Sequence, residues 1–152
     1  MWAYAVVVSV VSVFALFVTN TGVDDTLVDT ARRRALAEGM ATYRAAVVEM
    51  ARAQPAFQGA VSEAALSLPA WWQVQPGLKA TVQGRTVAIY VEPNDEQAGV
   101  LQEMFHLSAG SILVGIANQA SGTLHSPSTG DTGITVPAGV PDGAPVWLAT
   151  RD

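Results

Sequence analysis

Apolar positions in this chain follow three rhythms. From Trp2 to Val18 (WAYAVVVSVVSVFALFV) they form an almost unbroken uncharged run. At about 1.5 Å per helical residue such a run reaches about 25–30 Å, the thickness of a bilayer's hydrocarbon core. This predicts a transmembrane anchor helix over residues 2–18, with Trp2 and Tyr4 suited to the membrane interface. A cleaved signal peptide would need a basic leader and a small-residue cleavage site. Only Met1 precedes the run, and Thr19-Asn20-Thr21-Gly22-Val23 follows it without an A-x-A pattern.

The second rhythm is helical. Residues 23–54 are rich in Ala, Arg, Glu and Met and carry no proline before Pro55, which marks the helix end. Asp24 or Asp25 suits its start. Leu36, Met40, Tyr43, Val47 and Met50 recur at alternating intervals of four and three residues, one stripe that predicts packing onto the domain's own sheet. The third rhythm is alternation. Leu78–Val82 and Arg85–Val91 flank Gln83-Gly84 and predict a hairpin over 78–91.

Pro93 and Asn94 introduce a short helix over 95–107, with Asp95 and Glu96 in its first turn. Ser111–Gln119 is expected as a largely buried strand. Short strands follow at Ile134–Val136 and Val146–Thr150, so that C-terminal strands occupy 111–150. Residues 23–152 thus make one α+β domain, a long helix packed on a mainly antiparallel sheet, behind an anchor.

Composition narrows the function. With 152 residues, a net charge of −5 and no cysteine, the chain has no basic footprint for nucleic acid and no thiol, disulfide or sulfur-ligated metal chemistry. His106 and His125 are its two histidines, and no carboxylate cluster completes a metal site around them. No glycine-rich phosphate loop occurs. No cofactor, metal or small-molecule substrate is therefore expected.

Asp131-Thr132-Gly133 matches the triplet of aspartic proteases, but it occurs once and follows Ser128-Thr129-Gly130 instead of an apolar strand; a turn with Asp131 bonding nearby amides is the expected structure. His125 and Ser126 are adjacent without a nucleophile elbow, and are expected in a surface loop. His106, near a helix end, suits the negative terminus. The adjacent Trp71 and Trp72 lie in a turn-rich bridge with Gly59, Pro69 and Pro76. Neighbouring side chains of an extended segment point to opposite faces, so one tryptophan is expected in the core and the other as an exposed contact; Trp71 and Trp72 are both candidates for a partner contact, and Trp72 with the Pro- and Gly-rich tail is the surface expected to make it.

The anchor, Thr42–Val48 (TYRAAVV), Leu66–Trp71 (LSLPAW), Ser111–Gly115 (SILVG) and the tail Gly130–Pro137 (GDTGITVP) with Pro141-Asp142-Gly143 resemble, in that order, the PilM family of type IVB thin-pilus systems from conjugative plasmids. The resemblance implies a single-pass inner-membrane protein of pilus biogenesis, a non-enzymatic component of the assembly platform or basal body that contacts other pilus proteins. It also implies a periplasmic domain, against the weak cytoplasmic signal of Arg32, Arg33 and Arg34. It carries over no catalytic or ligand residue. Two alternatives are a pilin-like minor subunit of the fibre and a membrane-anchored hydrolase using Asp131 or Ser126. Pilins carry a basic leader and a processing site that this sequence lacks, and Asn20-Thr21-Gly22 is expected to interrupt a continuous spine.

Overall fold

The computed structural model describes residues 2–93 and 99–151, with side chains described from residue 26 onward outside that gap. Helix α1 runs from Trp2 to Ala53. It does not break at Asn20-Thr21-Gly22 or begin anew at residue 23, so Asp24 and Asp25 fall within the helix and not at its start. One glycine costs a helix only about 1 kcal/mol relative to alanine, and no proline lies within the segment to remove a backbone donor. By packing, the chain divides into Met1–Arg32 and Arg33–Asp152, and α1 contributes residues to both. Among the described residues no helix is long and apolar enough to cross a membrane; the side chains of residues 2–18, to which the anchor is assigned, lie outside those described. The helix ends where the next residues predict: Gln54 N still donates to Met50 O at 2.9 Å, and Pro55 follows.

Within Arg33–Asp152, the strands are β1 Gly59–Ala60, β2 Leu78–Gln83, β3 Thr86–Val91, β4 Val114–Asn118, β5 Thr123–Ser126, β6 Gly130–Thr135 and β7 Pro145–Thr150. Among the described residues they form one seven-stranded sheet, ordered β1-β2-β3-β7-β4-β5-β6, with every pair antiparallel. The α+β class, a long helix with an antiparallel sheet, is what the patterning predicts. The β2–β3 hairpin pairs Gln83 with Thr86, so its two loop residues are Gly84 and Arg85, and Gly84 takes the positive φ of 59° that the tight turn needs.

Several elements differ from expectation. Of the helix assigned to 95–107, the part through residue 98 lies outside the described residues, and α2 is Val100–Leu107, entered through Gly99 at φ 93°. The strand assigned to 111–119 starts only at Val114, because Ser111 Oγ accepts a hydrogen bond from Leu113 N at 3.2 Å and holds a turn there. Strand β5 replaces the expected surface loop at His125-Ser126, since its backbone pairs with β4 on one side and β6 on the other. Strand β6 begins at Gly130, earlier than Ile134, and its pairing with β5 shifts register between Thr123 and His125.

Two apolar clusters lie on the two faces of the sheet. On one, the α1 stripe Ala37, Met40, Tyr43, Val47 and Ala51 packs with Met104 of α2 and with Val82, Val87, Ile89, Val91, Val114 and Trp147. Leu36 of the predicted stripe is only partly buried against this cluster, whereas Ala37 and Ala51 are fully buried. On the other face, Ala88, Tyr90, Leu124, Val146 and Leu148 pack with Val136, Val140 and Ala144 from the Pro- and Gly-rich tail. Strand alternation explains the division: along β3, Val87, Ile89 and Val91 serve one cluster and Ala88 and Tyr90 the other. The tail is tied down by polar groups. Asp142 Oδ1 accepts from Gln119 N at 2.9 Å, Gln119 Nε2 donates to Val140 O at 2.7 Å, and Gly143 N donates to Ala117 O at 2.9 Å.

Two consequences can be measured. A Cβ on Gly115 would lie 2.3 Å from the backbone oxygen of His125 in the neighbouring strand. Gly115→Ala should therefore lower stability by about 1–3 kcal/mol in urea unfolding, the usual cost of forcing an extra carbon into a packed site; wild-type stability would contradict this approach of backbone to backbone. Burial first, and the charge of Glu63 second, push the Tyr43 phenol up to about 12. An unfolded tyrosine ionises near about pH 10. The stability from keeping this phenol neutral is thus fully present below about pH 10 and is lost as pH rises through about 12. Tyr43→Phe should flatten this alkaline decline in Tm measured against pH, leaving a remnant from Tyr90, also raised by burial.

Candidate interaction surface

The two bridge tryptophans divide between core and surface as expected of neighbours in an extended segment, with Trp72 on the core side and Trp71 exposed. Trp72 stacks on Tyr43 of α1, ring centroids 5.7 Å apart and planes inclined by 19°, and is partly buried against the core. Trp71 is 69% exposed and Val74 is 70% exposed. Trp72 is thus the structural member of the pair, because its ring meets the tyrosine that α1 presents to the sheet. Such stacking is worth about 0.5–1.5 kcal/mol beyond area burial. The Trp72 indole Nε1 is buried without a hydrogen-bond partner, a cost accepted for placing the ring.

Trp71, Trp72, Gln73 and Gln75 face Ala35, Glu38, Gly39 and Thr42 of α1 across a groove of about 370 Å³. Gly39 leaves room for the Gln75 side-chain amide, since a Cβ there would lie 2.4 Å from Gln75 Nε2. The exposed apolar side chains of this bridge are therefore Trp71 and Val74, on a segment held to α1 through Trp72.

A second cleft, of about 650 Å³, lies where α1 passes the ends of β4 and β7 and is lined by Arg44, Val48, Glu49, Arg52, Leu113 and Ala149, among others. The Arg44 guanidinium carbon lies 5.5 Å from the Trp147 ring centroid. These two residues are far apart in the sequence, and no local motif signals their meeting; only Arg44's place on the flank of the apolar stripe hints at it.

The residues considered for chemistry are kept apart. Alternation along β5 buries Ser126 and exposes His125 on the opposite face, and Ser126 Oγ lies 3.2 Å from Ser128 Oγ, so His125 is not positioned as its base. Asp131 is exposed, in β6. Its Oδ1 accepts from Gly133 N at 3.0 Å, and this bond, with that of the Thr123 hydroxyl and the nearby His125, holds its carboxyl below the ordinary aspartate range. An aspartic-protease dyad depends instead on a second carboxylate that raises one of the two. His106 is exposed in the last turn of α2. Among the described residues no group of three or more His, Asp or Glu side chains could hold a metal ion.

The fold and surface define an α+β protein in which a long N-terminal helix packs on an antiparallel sheet. A family model named PilM matches residues 6–148, and the chain belongs to this family, whose members are type IV pilus-biogenesis proteins. Its fold is similar to the crystal structure of a protein named PilM from Escherichia coli B7A, at TM-score 0.57 and 21% identity over 79% of this chain and 93% of that one. A pilM protein from Pseudomonas aeruginosa 2192 matches at TM-score 0.40 and 28% identity, over 78% of this chain and 95% of that one. No curated protein matches.

The division between the tryptophans predicts unequal effects. Trp72→Ala should cost about 3 kcal/mol in chemical denaturation, whereas Trp71→Ala should stay within about 0.5 kcal/mol of wild type. Equal losses would show that Trp71 also supports the core.

Proposed function

We propose that this chain is a non-enzymatic component of type IVB pilus assembly, held in the bacterial inner membrane by residues 2–18 with its α+β domain in the periplasm. It would act by contacting other pilus proteins of a conjugation system. The family match over residues 6–148 carries this reading, and three features support it. The apolar run has the length of a membrane span. The residues considered for nucleophilic or acid–base chemistry are not assembled into a site. Trp71 and Val74 offer an exposed apolar contact on a rigid support. Tethering would raise the effective concentration of co-localised partners, so that weak contacts suffice.

One observation favours a second reading. The unbroken course of α1 from Trp2 to Ala53 has the outline of a pilin spine, as a minor pilin entering the fibre would need. N-terminal processing together with recovery of the chain in sheared pili would select that reading; an intact N-terminus and absence from fibres would select the assembly component.

The anchor is tested by Val10→Arg. An arginine near the bilayer centre is penalised by about 2.5–3.5 kcal/mol on insertion scales. The variant should leave the alkali-washed membrane fraction, and pili should be lost with it. Unchanged membrane retention would rule out residues 2–18 as the span.

A further inference from the structure

The cleft between α1 and the ends of β4 and β7 contains an arginine whose needs the fold does not meet. Arg44 Nε is buried with no hydrogen-bond partner, and among the described residues Arg44 makes no ion pair. Its contact is the face of Trp147, an attraction worth about 0.5–2 kcal/mol, which fixes the guanidinium without offering an acceptor to Nε. Burial lowers its pKa, the direction expected where no carboxylate accompanies the charge. A guanidinium remains protonated all the same, so both the charge and the unmet donor persist.

The surroundings indicate what would complete it. Arg44, Val48 and Arg52 succeed one another at four-residue intervals on one face of α1 and all line the cleft, an apolar step between two cations. Leu113 and Ala149 extend the apolar wall. Glu49 is the one acidic side chain in the lining, and among the described residues it pairs with neither arginine. The lining is thus net cationic in a chain whose net charge is −5. A volume of about 650 Å³ exceeds what a lone small anion needs and lies in the range of ligand pockets.

We propose that this cleft receives an acidic–apolar segment of a partner protein, whose carboxylate bonds the Arg44 guanidinium beside the Trp147 ring while a neighbouring apolar side chain lies on Val48 and Leu113. That the occupant is a protein rests on the assembly reading above; the carboxylate chemistry rests on Arg44. Arg52 stands two helical turns along to steer the same segment electrostatically.

Two short blocked peptides test this on the full-length chain in detergent micelles: one with a glutamate between leucine and valine, the other with glutamine in its place. Amide and side-chain NMR follows the Arg44 Nε–H and the Trp147 indole N–H. The glutamate peptide should shift both resonances saturably and bind at least about tenfold more tightly than the glutamine peptide, the margin of a charge-assisted hydrogen bond. Arg44→Gln should abolish this preference and Arg44→Lys should retain part of it. Arg52→Gln, which leaves Arg44 and Trp147 in contact, should weaken binding a few-fold and so guards against misfolding of the Arg44 variants. Equal binding of the two peptides, shifts confined to other residues, or a response to inorganic phosphate as strong as to the glutamate peptide would each overturn the proposal. Pilus assembly in cells lacking the chain tests the functional reading separately: a chain required for pili whose cleft ignores the glutamate peptide would sink this inference alone.

Discussion

Burial of one stripe of α1 against the sheet is the contact on which the rest of the domain depends. Met40, Tyr43 and Val47 lose essentially all contact with water by packing with Val87 and Ile89 of β3 and with Trp147 of β7. Each fully buried side chain of this size contributes about 1.5–3 kcal/mol from desolvation, and the residues that flank the stripe inherit their positions from it. Tyr43 positions Trp72, and thereby the bridge that exposes Trp71. Arg44, the next residue along, is brought over Trp147. Both candidate contact regions are therefore consequences of how one helix face seats on one sheet face.

The place of β7 gives the sheet its closure. The last strand of the chain inserts between β3 and β4 and hydrogen-bonds to both, joining the β1–β2–β3 part to the β4–β5–β6 part. It supplies residues to both faces, with Trp147 and Ala149 towards α1, and Val146 and Leu148 towards the tail. Such pairing between distant segments orders long stretches of chain before it gains its contacts, and topologies of this kind fold comparatively slowly. At one edge of the sheet, β6 is blunted by its own chemistry: Gly133 N is taken by Asp131 Oδ1, and positive φ values at Gly130 and Gly133 bend the strand. These are devices that discourage an edge from pairing with another chain. They also give the Asp131-Thr132-Gly133 triplet a structural role.

The Pro- and Gly-rich tail, which lacks the periodicity of a helix or strand over much of its length, is a cover for the second face of the sheet. Val136, Val140 and Ala144 reach into that core while Gln119 and Asp142 hold the backbone in place. Its Pro141-Asp142-Gly143 step, one of the motifs behind the family resemblance, thus does structural work: Asp142 caps a backbone amide of β4's following turn and Gly143 takes φ 74°.

Local order was legible in the sequence wherever a period was long enough to count. The 3.6-residue stripe from Leu36 to Met50 announced a helix with one buried face, and alternation around Gly84 announced the hairpin, because those repeats follow from backbone geometry alone. Motif order announced the family. Three things needed the tertiary structure. Strand β5 is short, with Leu124 its one apolar residue, and only pairing on both sides makes it a strand. Which of Trp71 and Trp72 is exposed depends on where Tyr43 lies across the groove, since adjacent side chains in an extended segment are equivalent until one face acquires a neighbour. The meeting of Arg44 with Trp147 required β7 to enter the middle of the sheet, and sequence periodicity carries no term for contacts between segments so far apart.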